Sequence, residues 1–259
     1  MESISTSPPP EEFALVDQWA AEAYLTALDA GEIKLMDMLN RGEKIHDWMW
    51  NVTKQAWPAF LPESSKAPDG YNYKKAKQSV HALNYGVRAQ KMAQESGLPI
   101  QVCEWQFGYY HSQFPGIRLR QARIKEQLAE GFLVSVLGRK RIFIAQLNEE
   151  ILNQAYAWPS QSVIGEITNI ALTKLMWAGM VLRDPWMFPA LNTHDGMAIR
   201  VPKGVREKVK RRVRDAFNIP LTKNGITITI PVEIAFSTSF DDSSIEKGSK
   251  EVMRYEVPV

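Results

Sequence analysis

One cysteine, Cys103, and four histidines in 259 residues leave little material for several chemistries. A lone cysteine excludes an internal disulfide framework and suits a reducing compartment. It builds no cysteine-rich zinc site, and no two histidines fall at metal-ligand spacing. Net charge is almost absent: 31 Lys and Arg against 29 Asp and Glu give a formal +2, so a nucleic-acid partner must be sought in local clusters. Long apolar runs are missing as well. The longest, around residues 167–182, is interrupted by Lys174 and is too short to span a bilayer. The opening MESISTSPPPEE has no apolar core for a signal peptide. These absences exclude a membrane partner and lead to the expectation of a soluble, cytoplasmic chain.

What is present is ordinary globular composition, 45% hydrophobic and 23% charged, in a length that suits one large domain or two intertwined small ones. Residues 1–12 read as a disordered tail. Residues 13–16 form a short apolar strand ending at Asp17, and residues 18–28 predict a helix free of Gly and Pro. Two more helices are expected over 33–41 and 43–57, then a Pro- and Gly-bearing loop over 58–72. Residues 73–96 read as one long basic helix, ended by Gly97 and Pro99. Helices around 105–110 and 115–130 precede a hairpin whose arms flank Leu137-Gly138-Arg139-Lys140. A long helix over 159–182 leads to LNTHDGMAIRVP, where Asp-Gly between apolar arms signals a second hairpin. Residues 203–217 form a basic surface helix. Strands over 226–230 and 232–236 follow, with Pro231 marking an edge or bulge. Strands near both ends and helices between them make the fold α+β, a sheet with a helical insertion.

Asp17 stands at the end of a strand, where capping the next helix would explain it; Asp195 stands at a hairpin tip, where a plain turn would. Presented from adjacent strands, the two carboxylates would instead suit a pair of divalent ions. In the basic segment Lys77, His81 and Tyr85 recur at i, i+4 spacing and share a face, with Lys74, Asn84, Arg88 and Lys91 on or near it. Such a face offers cations for a triphosphate and a ring for a base or sugar, although a solvated helix packed by Val80, Leu83 and Val87 would look the same.

Eight short motifs in order give the chain a resemblance to the family A DNA polymerases, the bacterial DNA polymerase I type. Asp17-Gln18-Trp19-Ala20-Ala21-Glu22 is similar to the family's D-Y-S-Q-I-E, and Gly42-Glu43-Lys44-Ile45-His46 to G-R-D-I-H. KQSVHALNYG, residues 77–86, resembles the fingers helix R-x-x-x-K-x-x-x-[FY]-G. Phe114-Pro115-Gly116 and Leu137-Gly138-Arg139-Lys140-Arg141 match the F-P and F-G-R-R-R landmarks. Trp158-Pro159-Ser160-Gln161 is similar to M-P-V-Q, Asn192-Thr193-His194-Asp195 to Q-V-H-D, and Pro231-Val232-Glu233-Ile234 to the closing strand. The resemblance covers residues 13–242.

The resemblance implies a template-directed DNA polymerase that transfers a nucleotide from dNTP to a primer 3′-OH on a DNA primer–template. Asp17 and Asp195 would hold two Mg²⁺ ions, with Mn²⁺ as a substitute. Glu22 would sit under the incoming sugar, Lys77, His81 and Arg88 would clamp the triphosphate, and Tyr85 would lie against sugar and base. Gln161 would read the minor groove, with His194 close by, while Arg139, Lys140 and Arg141 would hold backbone phosphates. The implied layout is an antiparallel palm sheet over 13–48 and 145–242 interrupted by helical fingers over 49–144, with a tail over 243–259. A thumb and an exonuclease domain are not expected in the chain. A second polypeptide would supply them, as in a split polymerase, and the location would be the host cytoplasm if the chain is viral. Departures from the pattern are His81 for Lys, Ala89 for Tyr, Gly196 for Glu, and Ala157 and Asn192 for Asn and Gln. His81, Ala89 and Gly196 argue for one rival, a catalytically silent polymerase-like subunit that binds DNA or scaffolds a replication complex, and the retention of both Asp17 and Asp195 argues against it. Glu22 speaks against the other, a single-subunit RNA polymerase.

Overall fold

Exposed and buried residues alternate along Glu11–Gln18 (β1), which places Glu12, Ala14, Val16 and Gln18 on one covered face of a sheet. The computed structural model describes residues 11–144, 148–181, 188–240 and 244–255. In chain order β1 is followed by α1 (Ala21–Ala30), α2 (Ile33–Asn40), α3 (Ile45–Ala56), α4 (Tyr73–Asn84), α5 (Ala89–Ser96), α6 (Ile100–Gln113) and α7 (Pro115–Gln127). Then come β2 (Phe132–Val134), β3 (Lys140–Ile142), α8 (Glu149–Val181), β4 (Phe188–Asn192), β5 (Gly196–Pro202) and α9 (Arg206–Phe217). The chain closes through β6 (Leu221–Lys223), β7 (Ile226–Ile228), β8 (Val232–Ser237) and β9 (Glu251–Met253). The described residues divide into two compact units, one of residues up to 21, 164–221 and from 227 on, the other of 22–163 and 222–226.

The first unit is built on an antiparallel sheet. Among the described residues its strands run β4-β5-β1-β8-β9. Helix α9 and the later part of α8 cover one face. Arg206 opens α9, donates from Nε to Glu12 at 2.9 Å and lies 4.8 Å over the Phe236 ring. Gln18 Nε2 donates to the Ile164 carbonyl at 2.9 Å and to Thr168 Oγ1 at 2.8 Å, both on α8. The opposite face carries half-buried Phe13 and Leu15 and exposed Asp17.

Glu11 and Glu12 belong to β1, not to a tail, because Arg206 neutralises the buried Glu12; residues 1–10 lie outside the described residues. The C-terminal segment is also more than a tail, since β9 pairs with β8 from Val232↔Met253 to Ile234↔Glu251. Pro231 marks neither an edge strand nor a bulge. It precedes β8, an interior strand, where its missing N–H costs no ladder bond and its carbonyl accepts from Trp19 N at 2.8 Å.

In the second unit helical periodicity sets which faces are buried. Ile45, Met49, Trp50 and Thr53 line one side of α3, and Ala76, Val80 and Leu83 one side of α4. Asn72 caps α4 by accepting from Lys75 N at 3.2 Å. The long basic helix expected over 73–96 is two helices. Gly86, at φ +74°, breaks it, and a Cβ there would come within 2.7 Å of the Tyr156 ring, so only glycine fits. The helix expected from residue 18 starts at Ala21 instead, because Gln18 N is held by the Asp195 carbonyl and Ala20 turns at φ +54°. Helix α8 begins ten residues before Pro159 and keeps that proline inside; Arg120 Nη2 donates to the Tyr156 carbonyl in the preceding turn. The end of the helix expected to reach residue 182 passes outside the described residues. Residues 22–48, expected with the sheet, fall in the helical unit, where Asp29 of α1 is paired with Arg120 and Arg123 of α7.

Candidate functional site

Sheet register decides what surrounds Asp17. Its cross-strand partners are Gly196 on β5 and Glu233 on β8, and directly opposed residues of an antiparallel pair point to the same face. Gln18 N donates to the Asp195 carbonyl at 3.0 Å, and Thr193 N to the Gly196 carbonyl at 2.9 Å, closing the hairpin that presents Asp195. Both aspartates are exposed. The sheet therefore brings Asp17 and Asp195 to one end of adjacent strands, as expected. His194 is exposed next to Asp195; its carbonyl accepts from Thr168 Oγ1 at 3.2 Å, and its ring lies where a Cβ on Gly165 would meet it at 3.2 Å.

Gly196 is required by its position. A Cβ there would lie 2.2 Å from the Val16 carbonyl oxygen, so no side chain is accommodated without moving β1 from β5. Glu233 is the carboxylate that the sequence reading did not single out. Strand alternation over Val232–Ser237 shows which residues share its face, but not that β8 lies beside β1. Lys250 Nζ is 2.6 Å from a Glu233 oxygen. Among the described residues no cluster of three or more His, Cys, Asp or Glu side chains could by itself hold a metal ion.

In the helical unit the expected residues converge on Glu22. His81 Nδ1 contacts Glu22 Oε2, Tyr85 Oη donates to Glu22 Oε1 at 2.6 Å, and Gln161 Nε2 donates to the same Oε1. Gln161 Nε2 also lies 3.4 Å from Tyr85 Oη. Burial lowers the His81 pKa; Glu22 opposes the shift and Lys77 adds to it, leaving the ring below the ordinary imidazole value. Burial raises the Tyr85 pKa, and the adjacent Glu22 charge raises it further. Neighbouring His46, hydrogen-bonded to Tyr73 Oη at 2.5 Å, is pushed down to about 4 by burial, with Lys44, Lys77 and His81 adding to the shift. Lys74 and Lys77 are exposed.

Arg88 does not join this group. The break at Gly86 makes it the N-cap residue of α5, off the Lys77–His81 face, and its Nε lies 3.5 Å from Glu149. Arg139, Lys140 and Arg141 stand together on the β2–β3 hairpin, where Lys140 lies 3.6 Å over Phe132 and Arg141 lies 4.8 Å over Phe143. A buried charge cluster around Asp29 was not legible in the sequence. Arg120, with no exposed side-chain surface, holds Asp29 at 2.5 Å, Arg123 holds it at 2.8 Å, and Lys223 also contacts it. Helical spacing puts Arg120 and Arg123 on one side of α7, but nothing local in the sequence shows that Asp29 lies opposite.

An antiparallel sheet with an acidic hairpin and a helical insertion makes the fold α+β. The sequence model for DNA polymerase family A matches residues 8–242, and the chain belongs to that family. It is 22% identical to a thermostable DNA polymerase I of Thermus filiformis over 224 residues, covering 82% of this chain and 24% of that protein. It is 23% identical to DNA polymerase I of Mycobacterium bovis over 233 residues, 86% of this chain and 24% of that protein. The chain thus spans about a quarter of the length of these relatives. The fold is similar to the POL domain of Pol1 from M. smegmatis, solved in complex with DNA primer-template and dNTP, with a TM-score of 0.73 and 21% identity. That match covers 88% of this chain and 40% of the other.

Proposed function

We propose that this chain carries the nucleotidyl-transfer centre of a template-directed DNA polymerase, joining a dNTP to a primer 3′-OH. The observation that carries the reading is the β1–β5 register, in which Asp17 faces Gly196 and Gln18 N binds the Asp195 carbonyl. Mg²⁺ is commonly bound by one or two carboxylates together with substrate phosphate oxygens, and two exposed aspartates, one near the end of β1 and one in the turn just before β5, fit that donor set. Bound there, a pair of Mg²⁺ or Mn²⁺ ions would supply charge stabilisation to the attacking and leaving oxygens. Lys77 and Lys74 are exposed cations suited to a triphosphate. Glu22 and Tyr85 would select the sugar, a reading supported by the bond between them, with Gln161 and His81 on the same carboxylate. A minor-groove role for Gln161 requires it to leave Glu22. Arg139, Lys140 and Arg141 provide hairpin cations for backbone phosphates, and His194 flanks the catalytic Asp195.

Primer extension with dNTPs and Mg²⁺ tests the reading. The unmodified chain should extend a primer, and Asp17→Ala or Asp195→Ala should abolish extension while DNA binding persists. Near-normal extension by either variant would remove that aspartate from the chemistry. DNA binding without any extension by the unmodified chain would assign it instead to the silent, scaffold class. Equal use of NTPs would favour an RNA-synthesising enzyme.

A further inference from the structure

Both oxygens of Glu22 are engaged, by donors from separate parts of the helical unit. His81 of α4 takes Oε2, while Tyr85 just after α4 and Gln161 of α8 take Oε1. We infer, on the polymerase reading above, that His81 is a positioning residue that holds Glu22 for sugar selection and not a triphosphate ligand, leaving Lys77 and Lys74 as the phosphate cations of α4.

The chemistry of the ring supports this assignment. Nδ1 faces the carboxylate, so it carries the proton in this contact. That N–H is present both in the imidazolium and in the Nδ1–H neutral tautomer, so titration occurs at Nε2 and leaves the bond to Glu22 in place. The ionisable groups around the ring are Glu22 from α1, His46 from α3, Lys77 on α4 itself and Tyr85 after it; from α8 comes the neutral Gln161. Burial and the neighbouring Lys77 disfavour the imidazolium more than Glu22 favours it, so the ring is mainly uncharged near neutral pH. An uncharged ring cannot replace an ammonium at a triphosphate. It can fix the rotamer of a carboxylate.

Two measurements on the full chain test this. The first is kcat/KM for dNTP relative to NTP in primer extension, for His81→Ala, His81→Asn and Lys77→Ala. His81→Ala should cut the preference for dNTP about tenfold, corresponding to one hydrogen bond of about 1.4 kcal/mol. His81→Asn, which keeps a donor near the Nδ1 position, should restore most of it. Lys77→Ala should raise KM for both sugars together and leave their ratio unchanged. An equal KM increase for both sugars in His81→Ala, with no change in ratio, would make His81 a phosphate ligand and overturn the assignment. The second measurement is the ¹⁵N NMR titration of His81, compared with Glu22→Gln. Removing the carboxylate should lower the ring pKa, and an unchanged titration would overturn the pairing itself. Failure of the unmodified chain to incorporate any nucleotide would sink the polymerase reading and the sugar role with it, while the NMR titration would still decide the His81–Glu22 contact.

Discussion

Asp29→Asn removes one negative charge from the middle of three cations and keeps the side-chain shape. Asp29 is 10% exposed and Arg120 not at all, so the variant strands a buried guanidinium beside a neutral amide, with Arg123 and Lys223 crowded against it. Removing one partner of a buried pair costs about 3–5 kcal/mol. For a protein of this size each kcal/mol moves the thermal midpoint by about 2–4 °C, so a fall of roughly 6–20 °C at pH 7 is expected. Circular dichroism melts measure it. The pH dependence supplies a second check. Burial alone would raise the Asp29 pKa, but Arg120, Lys223 and Arg123 outweigh it and hold the carboxyl below its ordinary value. A depressed folded-state pKa gives stabilisation that is full above the unfolded value of about 3.9 and is lost as pH falls through the folded value. The gap between the two proteins should therefore stay constant from neutral pH to about 5 and narrow below about 4. A midpoint within about 3 °C of the unmodified protein at pH 7 would show that the cluster does not hold α1 to α7 as described.

Gly196→Ala should destabilise the sheet by about 1–3 kcal/mol, because its Cβ would meet the Val16 oxygen at 2.2 Å; an unchanged melting temperature would contradict that packing. Tyr85→Phe should raise discrimination against dideoxynucleotides and remove the 2.6 Å bond from Tyr85 Oη to Glu22 Oε1, leaving Gln161 as the donor to that oxygen. An unchanged ratio of chain termination to extension would separate Tyr85 from the sugar.

Local chemistry already marked much of the end that carries Asp17 and Asp195. Alternation up to Asp17 and the Asp-Gly turn before an apolar arm each depend on a few neighbouring residues, and both elements stand where those signals put them. The basic face of α4 was legible from i, i+4 spacing for the same reason. Its continuation was not: Gly86 admits both a helix and a break, and the φ of +74° is selected where Tyr156 closes over the glycine. Arg88 left the face as a result. Pairings between distant segments were beyond any local window. Nothing in the strand signals orders β8 beside β1, so Glu233 opposite Asp17 depends on the sheet being assembled. Glu22 likewise meets Tyr85 63 residues on and Gln161 139 residues on, and Asp29 meets Arg120 91 residues on. Turn and strand propensities arise from sterics among near neighbours, whereas the partner of a buried charge is set by which segments folding brings within hydrogen-bond reach once water has been excluded.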